Sequence, residues 1–123
     1  MRIIARTITA IVGVLMLGLG VWAFVDPQAF YDTVATYPPY NVHFLHDIGS
    51  FQIGIGFTLL YALIRRDGLT VALVGTSVGA IMHAISHFID KDAGGKTTDP
   101  YLLSGLALAI VIATVIHINI RQR

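Results

Sequence analysis

The fold is decided by residues 4–25, IARTITAIVGVLMLGLGVWAFV, in which Arg6 carries the only charge. At about 1.5 Å per residue, a helix of this length crosses the roughly 30 Å of hydrocarbon in a bilayer. The apolar run is longer than the core of a signal peptide, and no small-residue cleavage site follows it. We therefore expect it to be retained as a membrane-spanning helix.

Three more apolar stretches of similar length follow, so the sequence predicts four transmembrane helices. We place them at residues 4–25, 42–64, 69–89 and 101–120. Of the 123 residues, 55% are hydrophobic and 12% are charged, which is too few charges to cover a soluble domain. We predict an all-α, four-helix transmembrane bundle that forms one integral membrane domain over residues 1–123. The short turn between the second and third helices predicts that these two are antiparallel neighbours.

Charge is distributed unevenly between the two ends of the predicted bundle. The arginines at one set of helix ends are Arg2, Arg6, Arg65, Arg66, Arg121 and Arg123. The opposite ends carry only Lys91 and Lys96, beside five aspartates. Because cytoplasmic loops are enriched in basic residues, both termini are predicted to lie in the cytoplasm. We expect a multi-pass protein of the cell's inner (plasma) membrane.

The two predicted outer connections differ in character. Residues 26–41 carry aromatic side chains that suit the headgroup region of a membrane, among them Tyr37 and Tyr40. Residues 90–99 are polar and contain Gly94 and Gly95, so this second connection is predicted to be mobile.

Four ionisable residues within the predicted spans form two pairs with four-residue spacing, His43 with Asp47 and His83 with His87. On a helix, each pair projects from one face, a turn apart. The turn between the two helices centres near Asp67, which places the two pairs at similar depth. We expect the four side chains to meet near the outer end of the bundle.

Small residues are expected to mark the packed faces of membrane helices. On the third predicted helix, Gly75 and Gly79 share one face with His83 and His87, at four-residue steps. On the second predicted helix, Ser50 and Gly54 lie on the same side as Asp47. These faces are predicted to be packed rather than lipid-facing. The first helix has a further group of glycines that we interpret as packing surface, Gly13, Gly18 and Gly20.

Three imidazoles and one carboxylate are suited to zinc, copper, iron or manganese. We therefore predict a metal site formed by His43, Asp47, His83 and His87, near the outer face of the bundle. An open coordination position would permit redox or hydrolytic chemistry, but the sequence indicates no particular reaction, nor whether the protein is an enzyme. His46 and Asp90 lie at the rim, and the sequence leaves open whether either joins the site.

Two other functions are compatible with the same residues. The polar cluster could be structural, in a non-catalytic accessory subunit of a larger membrane complex. A b-type haem or quinone-linked electron carrier is the other alternative. We favour a transition metal over haem because the histidines lie on adjacent helices and no second, deeper pair is present.

The composition and charge indicate which kinds of partner to expect. The lipid bilayer is the expected environment, with a homo-oligomer or a larger membrane complex as the expected assembly. Nucleic acid is excluded as a partner because the net charge is +1 and there is no basic tract. The chain has no cysteine, which excludes disulfides and thiolate metal sites.

The run Pro39-Tyr40-Asn41, followed by His43, Asp47 and Gly49 and later by the pair His83 and His87, resembles a family of small four-helix bacterial membrane proteins of uncharacterised function. The first helix with its Asp26-Pro27 exit is also similar to small DoxX-like proteins. The resemblance implies that His43, Asp47, His83 and His87 belong together, and it implies no reaction. Val42 stands where the family pattern has an acidic residue, and His46 stands where it has a basic one.

Overall fold

The computed structural model describes residues 1–65 and 68–122, and this part of the chain contains five helices and no strand. The helices are α1 (Arg2–Val25), α2 (Pro27–Thr33), α3 (Val42–Arg65), α4 (Leu69–Ile89) and α5 (Asp99–Arg121). All except α2 are long and apolar enough to cross a membrane, which confirms the predicted all-helical class with four helices of spanning length. Arg66 and Arg123, two arginines of the predicted charge pattern, and Asp67, at the predicted turn, lie outside the described residues.

Large apolar side chains cover the outside of the long helices. Ile3, Phe51 and Val71 are 78%, 74% and 77% exposed. Such an apolar surface is unfavourable in water and favourable against lipid tails. The exposed residues therefore fit a bundle surrounded by lipid.

Helices α1 and α3 approach most closely, through two pairs of glycines spaced seven residues apart. A Cβ on Gly20 would lie 2.7 Å from the backbone oxygen of Gly49, and a Cβ on Gly56 would lie 2.7 Å from the backbone oxygen of Gly13. Only glycine permits backbones to come this close, as is common where membrane helices associate. The prediction that α1 packs through glycine is confirmed for Gly13 and Gly20, but a Cβ on Gly18 would meet no atom within 4 Å.

Helix α4 packs mainly on α5, and α5 also packs on α1. At the α4–α5 contact, the buried hydroxyls of Ser77 and Thr114 lie 2.8 Å apart and share a hydrogen bond. Leu59 of α3, Leu73 of α4 and Ile110 of α5 belong to one buried cluster in the middle of the bundle.

Helices α3 and α4, which the short turn predicted to be antiparallel neighbours, contact one another only sparsely. Each finds its main partner elsewhere, α3 on α1 and α4 on α5. A Cβ added to Gly54, Gly75 or Gly79 would meet no atom within 4 Å, so these predicted packing faces are open in this chain. A short connection fixes the direction of two helices, whereas side-chain fit decides which helices touch.

The start of α1 and the end of α5 lie at one end of the bundle, which we call the terminal end. Arg6 near the start of α1 donates to the Leu63 carbonyl near the end of α3, at 3.1 Å. Arg121 at the end of α5 donates to the Thr70 hydroxyl at the start of α4, at 3.2 Å. The opposite end, which we call the loop end, carries α2 and the connection between α4 and α5.

Helix α2 was not predicted from the sequence, and it closes part of the loop end. Asp26 accepts a hydrogen bond from the Ala29 amide at 3.2 Å, and Pro27 occupies the first turn, where its missing amide hydrogen costs nothing. Phe30 is 2% exposed and belongs to a buried cluster with Ala23 of α1 and Leu45 of α3. This burial holds α2 across the ends of α1 and α3.

Candidate functional site

A cavity of about 550 Å³ opens at the loop end, between α3 and α4, which contact one another only sparsely. Its walls come from α2, α3, α4, α5 and residues 34–41. Most of the lining is apolar, including Phe30, Phe44, Leu45, Ile48, Leu102 and Leu103. Polar side chains also reach it, among them Tyr37, Gln52, His83, His87, Asp90 and Asp99. Mostly apolar clefts of this size with a few polar groups are typical of small-molecule sites.

Three side chains on the cavity wall form a continuous hydrogen-bonded chain. The Tyr37 hydroxyl lies 3.0 Å from Nδ1 of His87, and Nε2 of His87 lies 3.2 Å from Nε2 of His83. The rings pack edge to face, with centroids 5.5 Å apart for Tyr37 and His87 and 4.9 Å apart for the two histidines. The four-residue spacing on α4 brings the histidines together, and α2 with the segment after it brings Tyr37 to them.

Burial, reinforced by the carboxylates of Asp99 and then Asp90, raises the pKa of Tyr37 above its ordinary value of 10.0. The phenol therefore stays protonated at neutral pH and can donate to Nδ1 of His87. A neutral His87 then carries its proton on Nε2 and donates it to His83. In the opposite tautomers every donor and acceptor among these three side chains exchanges its role. The three hydrogen-bonded side chains can therefore pass a proton in either direction.

The connection between α4 and α5 holds Tyr37 in place. The Gly95 amide donates to the Thr36 carbonyl at 3.0 Å, and Lys96 Nζ donates to the Thr33 carbonyl at 2.5 Å. Gly95 has φ +78°, and a Cβ there would lie 2.6 Å from the Tyr37 hydroxyl oxygen. The glycines that predicted a mobile connection instead allow it to pack closely over Tyr37.

The buried oxygen of Gln52, Oε1, has no hydrogen-bond partner among the described residues. Gln52 extends from α3 into the cavity lining. A buried acceptor without a partner is unfavourable, so this oxygen is a local cost of the fold.

The structure separates the four predicted metal ligands into two pairs. His43 Nε2 lies 3.6 Å from an Asp47 oxygen, and these side chains are 85% and 56% exposed. Neither lines the cavity that His83 and His87 line. Asp47 precedes Gly49 by two residues, about 200° around the helix, so packing Gly49 on α1 turns Asp47 outward.

Within residues 1–65 and 68–122, no group of three or more histidine and aspartate side chains is placed to hold a metal ion. The two rim residues also take different positions. Asp90 lines the cavity with the α4 histidines, whereas the ring of His46 packs on Phe24 with centroids 5.0 Å apart. The sequence did not identify Tyr37 or Gln52 as part of a site. Only the placement of Tyr37 in an aromatic connection hinted at such a role.

The chain is therefore an all-helical protein with four helices that could span a membrane and a cavity at one end of the bundle. Comparisons with protein-family models, characterised proteins and solved structures find no match. The family resemblance drawn from the motif around His43 stays a prediction.

Proposed function

We propose that the protein is a multi-pass protein of the inner (plasma) membrane, with its termini in the cytoplasm and its loop end outside. The support is the positive-inside rule. The terminal end carries Arg2, Arg6, Arg65 and Arg121.

The absence of cysteine permits a clean test of this orientation. In intact cells, a membrane-impermeant maleimide should label an Ala93→Cys variant at the loop end. It should label a Gln122→Cys variant at the terminal end only after the cells are opened. The reverse pattern would refute the orientation.

We further propose that the protein binds a small amphipathic molecule in the loop-end cavity. The observation that carries this proposal is the cavity itself, about 550 Å³ of mostly apolar space with polar groups on its wall. The bilayer is a source of amphipathic molecules, and the cavity lined by α3 and α4 leaves room for one. The chain of Tyr37, His87 and His83 offers such a molecule a hydrogen bond and a route for proton exchange with the surface.

Two leucines on α5 provide a matched test. Leu103 lines the cavity, whereas Leu108 is 61% exposed on the outside of the bundle. The wild type, Leu103→Trp and Leu108→Trp would be purified in mild detergent, and bound small molecules would be extracted and identified by mass spectrometry. A compound present with wild type and Leu108→Trp but absent from Leu103→Trp supports a ligand cavity. No bound compound in any of the three, together with copurifying membrane subunits, would favour the accessory-subunit alternative.

A metal ion on the α4 histidines is a second candidate, favoured by one distance. Two imidazole nitrogens on a tetrahedral zinc ion, each at about 2.0–2.1 Å, lie roughly 3.3–3.4 Å apart. The Nε2 atoms of His83 and His87 are 3.2 Å apart, and Tyr37 orients His87 through its other nitrogen. Further ligands would come from water or a bound molecule. The same closeness does not suit a haem iron held between this pair, since axial histidines bind from opposite faces.

Metal content distinguishes this site from the four-residue site predicted from sequence. Metal would be measured on protein purified without a metal-affinity tag, for wild type, His83→Ala and His43→Ala. Loss in His83→Ala alone supports a site on α4. Loss in both variants supports the four-residue site, and a metal-free wild type argues against either.

A further inference from the structure

The acidic and basic side chains that line the loop-end cavity, among the described residues, all have one sign. Asp90 and Asp99 line it, and no lysine or arginine does so in the part of the chain that the structure describes. The lysine nearest in sequence to Asp99 is Lys96, whose Nζ donates to the Thr33 carbonyl instead of to a cavity carboxylate. Each cavity carboxylate lies at a helix end, Asp90 just after α4 and Asp99 at the start of α5. The two carboxylates therefore give the cavity a negative potential.

The field of these carboxylates acts on the cavity wall. Asp99 and Asp90 both contribute to the raised pKa of Tyr37, after burial. One oxygen of Asp99 accepts from the Lys96 amide at 2.7 Å, but a backbone amide does not neutralise the charge. An anion entering the cavity would meet the same repulsion as the tyrosinate form of Tyr37, and a cation would be attracted.

Aromatic rings form much of the remaining wall. Phe30, Tyr31, Tyr37 and Phe44 all line the cavity. The faces of aromatic rings attract cations, and aromatic surroundings are a common way to bind substituted ammonium groups. The rings also bury apolar groups, so one wall serves both the charge and the apolar body of a ligand.

Building on the proposed ligand cavity, we propose that the molecule bound there is a hydrophobic organic cation, such as a protonated amine or a quaternary onium ion. Its charge lies near Asp90 and Asp99, and its apolar body lies among the aromatic and aliphatic side chains. The two carboxylates and the aromatic wall favour this class over an organic anion.

Three probes of nearly the same size and shape test the charge directly. They are tetraphenylphosphonium, which is positive, tetraphenylborate, which is negative, and neutral tetraphenylsilane. Binding of each labelled probe to the full chain in mild detergent would be measured by equilibrium dialysis. The Leu103→Trp variant serves as the blank for partition into micelles, and Leu108→Trp serves as the folding control. We expect saturable phosphonium binding above the blank, and at least tenfold weaker binding of the borate.

Substitutions at the carboxylates refine the test. Asp90→Asn removes a charge with little change of shape. In Asp99→Asn, the side-chain oxygen can still accept from the Lys96 amide. Each should weaken phosphonium binding about fivefold to tenfold, because a charge at a partly exposed mouth retains part of its attraction. Helical content and the unfolding midpoint should match the wild type, since neither carboxylate takes part in an ion pair with a basic side chain in the described structure.

The outcomes separate this inference from the ligand cavity itself. If the borate or the neutral probe binds as tightly as the phosphonium and is lost in Leu103→Trp, the cavity binds ligands but the cation preference is overturned. If none of the probes binds above the blank, both proposals fail. Phosphonium binding that is unchanged in Asp90→Asn and Asp99→Asn would also overturn the cation site.

Discussion

Replacing Gly20 by alanine should loosen the contact between α1 and α3, and the same change at Gly18, half a turn away, should not. A Cβ at Gly20 would lie 2.7 Å from the Gly49 oxygen and 2.7 Å from the Ile53 nitrogen, whereas a Cβ at Gly18 would meet nothing within 4 Å. Ordinary contact begins near 3.4 Å, so the two backbones would have to separate by about 0.7 Å. Because both obstructing atoms belong to the backbone, no side-chain rotation can relieve the clash.

The magnitude follows from two opposing effects. Overpacking of this kind costs about 1–3 kcal/mol, and replacing glycine by alanine inside a helix returns about 0.5–1 kcal/mol. Gly20→Ala should therefore lower the free energy of unfolding by roughly 0.5–2 kcal/mol, whereas Gly18→Ala should raise it by about 0.5–1 kcal/mol.

Unfolding in mixed micelles, driven by titration with sodium dodecyl sulfate and followed by circular dichroism, would measure both variants. Gly56→Ala and Gly54→Ala repeat the comparison on α3, since a Cβ at Gly56 would lie 2.5 Å from the Leu17 nitrogen and one at Gly54 meets nothing. Equal shifts for the two members of a pair would refute the close α1–α3 approach.

Three further predictions concern single interactions. The raised pKa of Tyr37 favours the folded state while the phenol is protonated, so this stability is present at neutral pH and is lost as pH rises above about 10. Unfolding midpoints measured against pH should decline at alkaline pH, and the decline should be smaller in Tyr37→Phe. Identical pH profiles for the two proteins would contradict the raised pKa. Thr114→Val leaves the buried Ser77 hydroxyl without its partner and should lower the free energy of unfolding by about 0.6 kcal/mol. In a double-mutant cycle, adding Ser77→Ala to this variant should restore part of that loss. Asn41→Ala removes the side-chain oxygen that accepts from the Phe44 amide at 3.1 Å, at the start of α3, and should lower the free energy of unfolding by about 1 kcal/mol. Asn41→Asp keeps this cap. Equal unfolding free energies for the two variants would show that the cap contributes nothing.

The four long helices could be predicted because length and apolarity alone determine whether a segment can span a bilayer. Helix α2 carries a readable signal, the Asp26-Pro27 pair, but at seven residues it is too short to show a hydrophobic period. Its position depends on the burial of Phe30 between α1 and α3, a contact that local sequence does not specify.

The glycines show the limit of reading packing from small residues. Gly75 and Gly79 were predicted to face a neighbour, yet they are exposed, whereas the packed glycines of α3 are Gly49 and Gly56. A small residue permits close approach but does not supply the partner. The matching seven-residue spacing in α1 and α3 is the signal that could have paired these two helices.

The same limit applies to the polar residues. Contacts within a helix were predictable from spacing, and both pairs form, His83 with His87 at 3.2 Å and His43 with Asp47 at 3.6 Å. Joining the pairs required α3 and α4 to be close neighbours along their length, which they are not. The third member of the hydrogen-bonded chain, Tyr37, comes from a connection fifty residues away along the chain, beyond the reach of spacing arguments.

The order in which the helices are made differs from the order in which they pair. As the chain is synthesised, α3 is made after its partner α1, but α4 is made before α5, on which it mainly packs. Until α5 arrives, the hydroxyl of Ser77 lacks Thr114, and α1 lacks its contact with the last helix. A chain interrupted before residue 99 would therefore hold one completed helix pair, α1 with α3, and would leave α4 without its main partner. Because α5 both pairs with α4 and contacts α1, assembly of the bundle waits for this helix.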